Sequence, residues 1–178
     1  MDVPELRFLR HYYDDSRFIS ALANSIDTHL SALDWTPDAI LTSYHGLPQS
    51  YVDKGDPYQS ECLETTELLR QHMGKTKQEL YATFQSRFGP KAWLQPYTDK
   101  TLEALPETGV KKVAVIMPGF SADCLETLEE IAVEAKESFM EHGGTHFTAI
   151  SCLNADPAHL DLLAGCLLYT SPSPRDRG

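Results

Sequence analysis

Apolar positions recur through residues 16–33 at three- and four-residue steps: Phe18, Leu22, Ile26, Leu30 and Leu33. That spacing predicts an amphipathic helix. The pattern then changes to short, unbroken apolar runs. Residues 39–44, 80–84, 113–117 and 147–150 each read as a buried strand. Helical stretches separate them at 60–73, from Thr98 or Asp99 (either of which can cap it) to Pro106, and at 122–141, and a last one begins over 157–164. The long helix at 122–141 carries an apolar stripe of Leu125, Leu128, Ile131, Ala132, Ala135 and Phe139, and Gly143-Gly144 closes it. Strands apolar on both sides and alternating with helices predict an α/β fold, a doubly wound parallel sheet of about four strands. Ligands of such sheets sit beyond the carboxyl ends of the strands. That rule singles out the loops at 45–58, 85–98 and 118–126.

The chain of 178 residues has 42% hydrophobic and 23% charged residues, the composition of a globular domain. Its net charge of -11 argues against binding nucleic acid or an anionic membrane surface through bulk charge, and favours cations. Cys62, Cys124, Cys152 and Cys166 lie far apart without a C-x-x-C pair, so they outline neither a zinc site nor a disulfide framework. No apolar run reaches the roughly 18 residues of a transmembrane segment. With no signal peptide, the setting expected is cytoplasmic. Helical material at Leu6–Arg10 precedes any strand, so the chain reads as the later part of a longer protein. From about Cys166 the composition turns to Ser, Pro and Arg. Residues 166–178 read either as a flexible Ser/Pro/Arg tail or as a foreign stretch, since they resemble translated adaptor or vector sequence, and either reading sets the domain at 1–165.

Two polar residues fall where the sheet rule places function. His45 directly follows the first strand, with Gly46 and Pro48 leaving its ring uncrowded. Glu126 lies in the first turn of the long helix, and Glu130 and Glu134 follow at four-residue steps on one face. Each has an ordinary explanation. His45 could satisfy a turn, Asp123 and Glu126 could form a capping box, and the glutamates could be a solvated face. An imidazole and a carboxylate from two strand ends could instead share a cleft. They could then bind Fe²⁺ or Zn²⁺, or accept protons. Cys124 is the rival nucleophile, but Asp123 and Glu126 disfavour its thiolate, and a core role is expected. Trp93, in a loop bounded by Gly89-Pro90 and Pro96, either lines a flat apolar ligand or plugs the sheet end. The other histidines have no partner motif.

Five blocks on these loops carry a resemblance. They are Ser43-Tyr44-His45-Gly46-Leu47-Pro48, Gly55-Asp56-Pro57-Tyr58, Gln85-Ser86-Arg87-Phe88-Gly89-Pro90, Trp93-Leu94-Gln95-Pro96-Tyr97-Thr98-Asp99, and the run from Pro118 to Glu130. In this order they resemble ferrochelatase of the proteobacterial type, from near residue 4 to about residue 165. The resemblance implies insertion of Fe²⁺, as substrate, into protoporphyrin IX, the last step of heme synthesis. It implies two Rossmann-like halves around a porphyrin cleft, with this chain as the second half and the first half missing. His45 and Glu126 would be the catalytic pair and, with Glu130 and Glu134, the metal ligands. Trp93 and Tyr44 would hold the porphyrin. The four cysteines do not resemble those that bind an iron–sulfur cluster in some members, so no cluster is expected. Two alternatives stand beside this reading: a non-catalytic porphyrin or metal carrier, and a related chelatase for cobalt, nickel or another tetrapyrrole.

Overall fold

The computed structural model describes residues 11–170, so Leu6–Arg10 and most of the Ser/Pro/Arg tail lie outside the described residues. Helix α1 (Ser16–Ser31) starts on Asp15, whose carboxylate accepts the Arg17 amide. Strand β1 (Ala39–His45) follows, then a single turn α2 (Gln49–Val52), helix α3 (Tyr58–His72) and strand β2 (Leu80–Gln85). Helix α4 (Thr98–Ala104) runs into a 3₁₀ turn, Leu105–Thr108, before β3 (Lys112–Ile116). A π-helical stretch, Glu126–Ala135, continues as α5 (Lys136–Glu141). Strand β4 (His146–Ile150) and helix α6 (Pro157–Thr170) complete the order, and α6 runs through Cys166, where the composition changes.

The four strands form one all-parallel sheet in the order β2-β1-β3-β4. Alternation along each strand divides the core. Ile40, Ala114, Ile116 and Ile150 face α1, α3 and α6 through Phe18, Ile26, Leu69 and Leu162. Leu41, Val113 and Val115 face the opposite layer, against Leu102, Ile131 and Phe139. The chain leaves β1 toward one layer and β3 toward the other. These neighbours are therefore the topological switch point, and a crevice opens beyond their carboxyl ends.

The long helix departs from its sequence pattern. It begins at Leu125 rather than Ala122, and for ten residues it takes the wide register of a π-helix, a form concentrated at functional sites. Of its expected stripe, Ile131, Ala135 and Phe139 are buried and Ala132 is half-buried. Leu125 and Leu128 are 69% and 57% exposed, because the changed register and later start turn the first coil away from the core. Asp123 forms no capping box. Its oxygens accept Asn154 Nδ2 (2.7 Å), the Cys152 amide (3.0 Å) and the Thr127 hydroxyl (3.2 Å). Thr98 is no cap either, since its hydroxyl is buried against Ser43 and Thr83.

Phe139 is fully buried in the second layer, and Gly144 makes room for it. A Cβ at residue 144 would stand 2.2 Å from the Phe139 ring. Phe139→Ala should cost about 3–5 kcal/mol in denaturant unfolding with an unchanged slope. A loss below about 1 kcal/mol would contradict this account of the layer.

Candidate active site at the carboxyl ends of the strands

His45 is the last residue of β1 and stands opposite Gln85, the last residue of β2. Its Nδ1 lies 2.7 Å from the Gly46 carbonyl oxygen. A carbonyl only accepts, so Nδ1 carries the proton and the neutral ring keeps its Nε2 lone pair free of that bond. The Tyr58 hydroxyl donates to the His45 carbonyl (2.9 Å), and Phe120 lies 6.3 Å from the imidazole, centroid to centroid. Gly46 is needed for close approach. Its amide donates to the Gln85 carbonyl (2.7 Å), and a Cβ there would meet that oxygen at 2.9 Å.

Glu126 enters from across the switch point, at the start of the π-helical stretch after β3. Hydrogen bonds from its own amide and the Cys124 thiol hold its carboxyl below the ordinary range, and the charge of His45, when that ring is protonated, adds to the effect. The two residues thus stand on either side of the switch point, His45 at the end of β1 and Glu126 on the helix after β3, within range of each other's charge. Cys124, expected in the core, is half-buried beside Glu126.

A groove of about 680 Å³ adjoins the crevice. Its acidic wall includes Glu126, Glu129, Glu130 and Glu134, and its apolar rim includes Phe88 and Leu125, each 69% exposed. Arg87 on the rim lies 4.3 Å over the Tyr97 ring and donates to Asp99 (2.6 Å). Glu130 is tied down: its carboxylate accepts the Ser86 amide (2.7 Å), the Ser86 hydroxyl and Gln85 Nε2 (3.3 Å). His45 does not line this groove. Among the described residues, no three His, Cys, Asp or Glu side chains gather closely enough to hold a metal ion, so His45, Glu126, Glu130 and Glu134 do not form one cage. Trp93 is half-buried, donates from Nε1 to the Phe88 carbonyl (2.9 Å) and stacks edge-on with Phe88. Tyr44 is 2% exposed and bonds Thr66, and burial pushes its phenol well above its usual value. Any help it gives a ligand therefore passes through neighbouring residues.

A family model described as ferrochelatase matches residues 1–169. The chain belongs to the ferrochelatase family. It is 58% identical over 165 residues to the ferrochelatase of Rhodopseudomonas palustris (strain TIE-1), covering 93% of this chain and 48% of that protein. It is 56% identical to that of Nitrobacter hamburgensis over the same shares. The chain thus spans about half the length of the curated relatives it matches. Among solved structures it is similar in fold to SirB from Bacillus subtilis with Fe3+, at a TM-score of 0.57 and 10% identity, over 89% of this chain and 56% of that one. No helix of the described residues is long and apolar enough to cross a membrane.

Gln85 and Ser86 belong to one of the sequence blocks, yet nothing in the block itself assigns them a role. The available signal was two polar residues ending an apolar strand, both buried and turned toward the helix that carries Glu126. Asn154 gives no signal in sequence because it acts through Asp123, 31 residues away. Partial burial raises the Asp123 carboxyl, but bonds from Asn154, Cys152 and Thr127 outweigh it and leave it below its ordinary value. A depressed native value adds stability above the unfolded-state value and loses it as pH falls through the native one. Asp123→Asn should therefore cost about 1 kcal/mol at neutral pH, the low end for a carboxylate partly open to water. The gap to the unsubstituted chain should close on acidification. A gap that widens in acid would contradict it.

Proposed function

We propose that this chain is the catalytic half of an enzyme that inserts Fe²⁺ into protoporphyrin IX, with His45 and Glu126 as the reacting pair. What supports the proposal is that His45 ends β1 and Glu126 opens the helix after β3, on either side of the switch point and within range of each other's charge, in a chain of this family. A free porphyrin must lose two pyrrole protons, and the metal must shed water before four nitrogens can capture it. With Nδ1 donating to the Gly46 carbonyl, the Nε2 of a neutral His45 ring is the nitrogen left to accept a proton, and the ionised Glu126 suits receipt of the proton or of the cation. Borderline Fe²⁺ accepts both imidazole and carboxylate donors.

The neighbouring surface fits the same reading. Glu129 and Glu134 lead along the groove to Glu126 and give a cation a favourable path. Glu130, clamped by Ser86, serves as a wall of that path. Phe88, Leu125 and Leu128 offer exposed apolar surface beside the acid, and Trp93 braces Phe88, an arrangement suited to the face of a flat macrocycle. We assign the opposite wall to a first half of the same protein, since the relatives are about twice as long.

The test supplies this chain with the N-terminal half of the Rhodopseudomonas palustris relative and follows porphyrin absorbance with Fe²⁺, Co²⁺ or Ni²⁺. Metallation should be fastest with Fe²⁺. His45→Ala and Glu126→Gln should each lower kcat by about 10²–10⁴ while porphyrin binding persists. Saturable porphyrin binding without metallation would favour a carrier. Preference for Co²⁺ or Ni²⁺ would overturn the metal assignment.

A further inference from the structure

We propose that Gln85 is a positioning residue that fixes Glu126 at its working distance from His45, an inference that rests on the reading of those two residues as the reacting pair. Gln85 is 4% exposed, so its carboxamide must find partners inside the protein. Those partners give the group one orientation. The Ser43 hydroxyl donates to Oε1 (2.8 Å), which leaves Nε2 directed the other way. Nε2 donates to the backbone carbonyl of Glu126 (2.8 Å) and to Glu130 Oε2 (3.3 Å).

The same residue holds the other partner through its main chain. Gln85 is the register neighbour of His45, and its carbonyl accepts the amide of Gly46, the residue after His45. One residue is therefore tied to both sides of the crevice, and the two ties leave it from opposite ends. The bond to Glu126 falls on the first residue of the π-helical stretch. A side-chain donor inserted at a helix carbonyl competes with the backbone amide that would otherwise close the turn, a recognised cause of local distortion in the hydrogen-bond ladder. Gln85 thus sets both where the stretch begins and which way its first carboxylate faces. An acid at residue 85 could not substitute, because it would set oxygen against the Glu126 carbonyl and the Glu130 carboxylate.

The test is Gln85→Met, which keeps the length and removes the donor, alongside Gln85→Glu. Backbone amide NMR and hydrogen exchange are read on the 178-residue chain. Turnover is read on the chain supplied with the relative's first half. Gln85→Met should shift the amides of Ser86, Glu126, Thr127 and Glu130 and speed their exchange by about tenfold, with β3 unchanged. It should lower kcat by about tenfold or more with porphyrin KM within about twofold, and Gln85→Glu should lose at least as much. Should either variant fail to fold, Ser43→Ala leaves Gln85 in place and frees its carboxamide to turn, and should move the same amides and kcat in the same direction. Unchanged amides at Glu126–Glu130 in the folded variants would overturn the positioning role. Shifted amides with kcat within about twofold would overturn its part in the reaction. If the unsubstituted protein does not metallate, the functional reading fails, and the amide measurement still decides whether Gln85 places Glu126.

Discussion

The constraint on which the site depends is the reversal of strand order at β1 and β3. Parallel strands cannot be joined without a crossover, and here the crossovers that follow β1 and β3 leave the sheet toward opposite layers. The carboxyl ends of β1 and β3 therefore have no covering helix between them. His45 ends the first of these strands and Glu126 opens the helix after the second. Their wide separation in sequence is closed by the sheet alone.

Much of this was legible in the sequence. The four apolar runs became the four strands, with ends moved by about one residue, and the α/β class followed from their alternation with helices. The loop rule singled out the segments after the first and third strands, and the structure has His45 as the last residue of β1 and Glu126 opening the helix that follows β3. The register of the Glu126 helix was not legible. Three- and four-residue steps fit α and wider helices alike over so short a stretch, and so Leu125 and Leu128 were expected in the core. Nor was the use of Asp123 legible, because its partners Cys152 and Asn154 lie beyond another strand. A local capping pattern lost to tertiary hydrogen bonds. Trp93 illustrates a choice the sequence left open. It braces Phe88 at the groove rim, and its ring also packs against Gly46, where a Cβ would stand 3.3 Å from it.

The acidic row is divided by its surroundings into different tasks. Glu126 keeps open surface and a depressed carboxyl, Glu130 is bound by Ser86 and Gln85, and Glu134 borders the groove. Equal spacing on a helix therefore does not make equal ligands. What distinguishes Glu130 from its neighbours is the hydrogen-bond donors that reach it, and those donors come from the end of β2 and the residue after it.

The claim at the centre is that His45 and Glu126 act as one unit on the same substrate. The most direct measurement is a double-mutant cycle on metallation by the complemented chain, comparing His45→Ala, Glu126→Gln and the pair. Residues that act together lose little more when both are removed than when one is. A double variant within about threefold of the slower single variant agrees with the account. Losses that multiply would show two independent sites and contradict it.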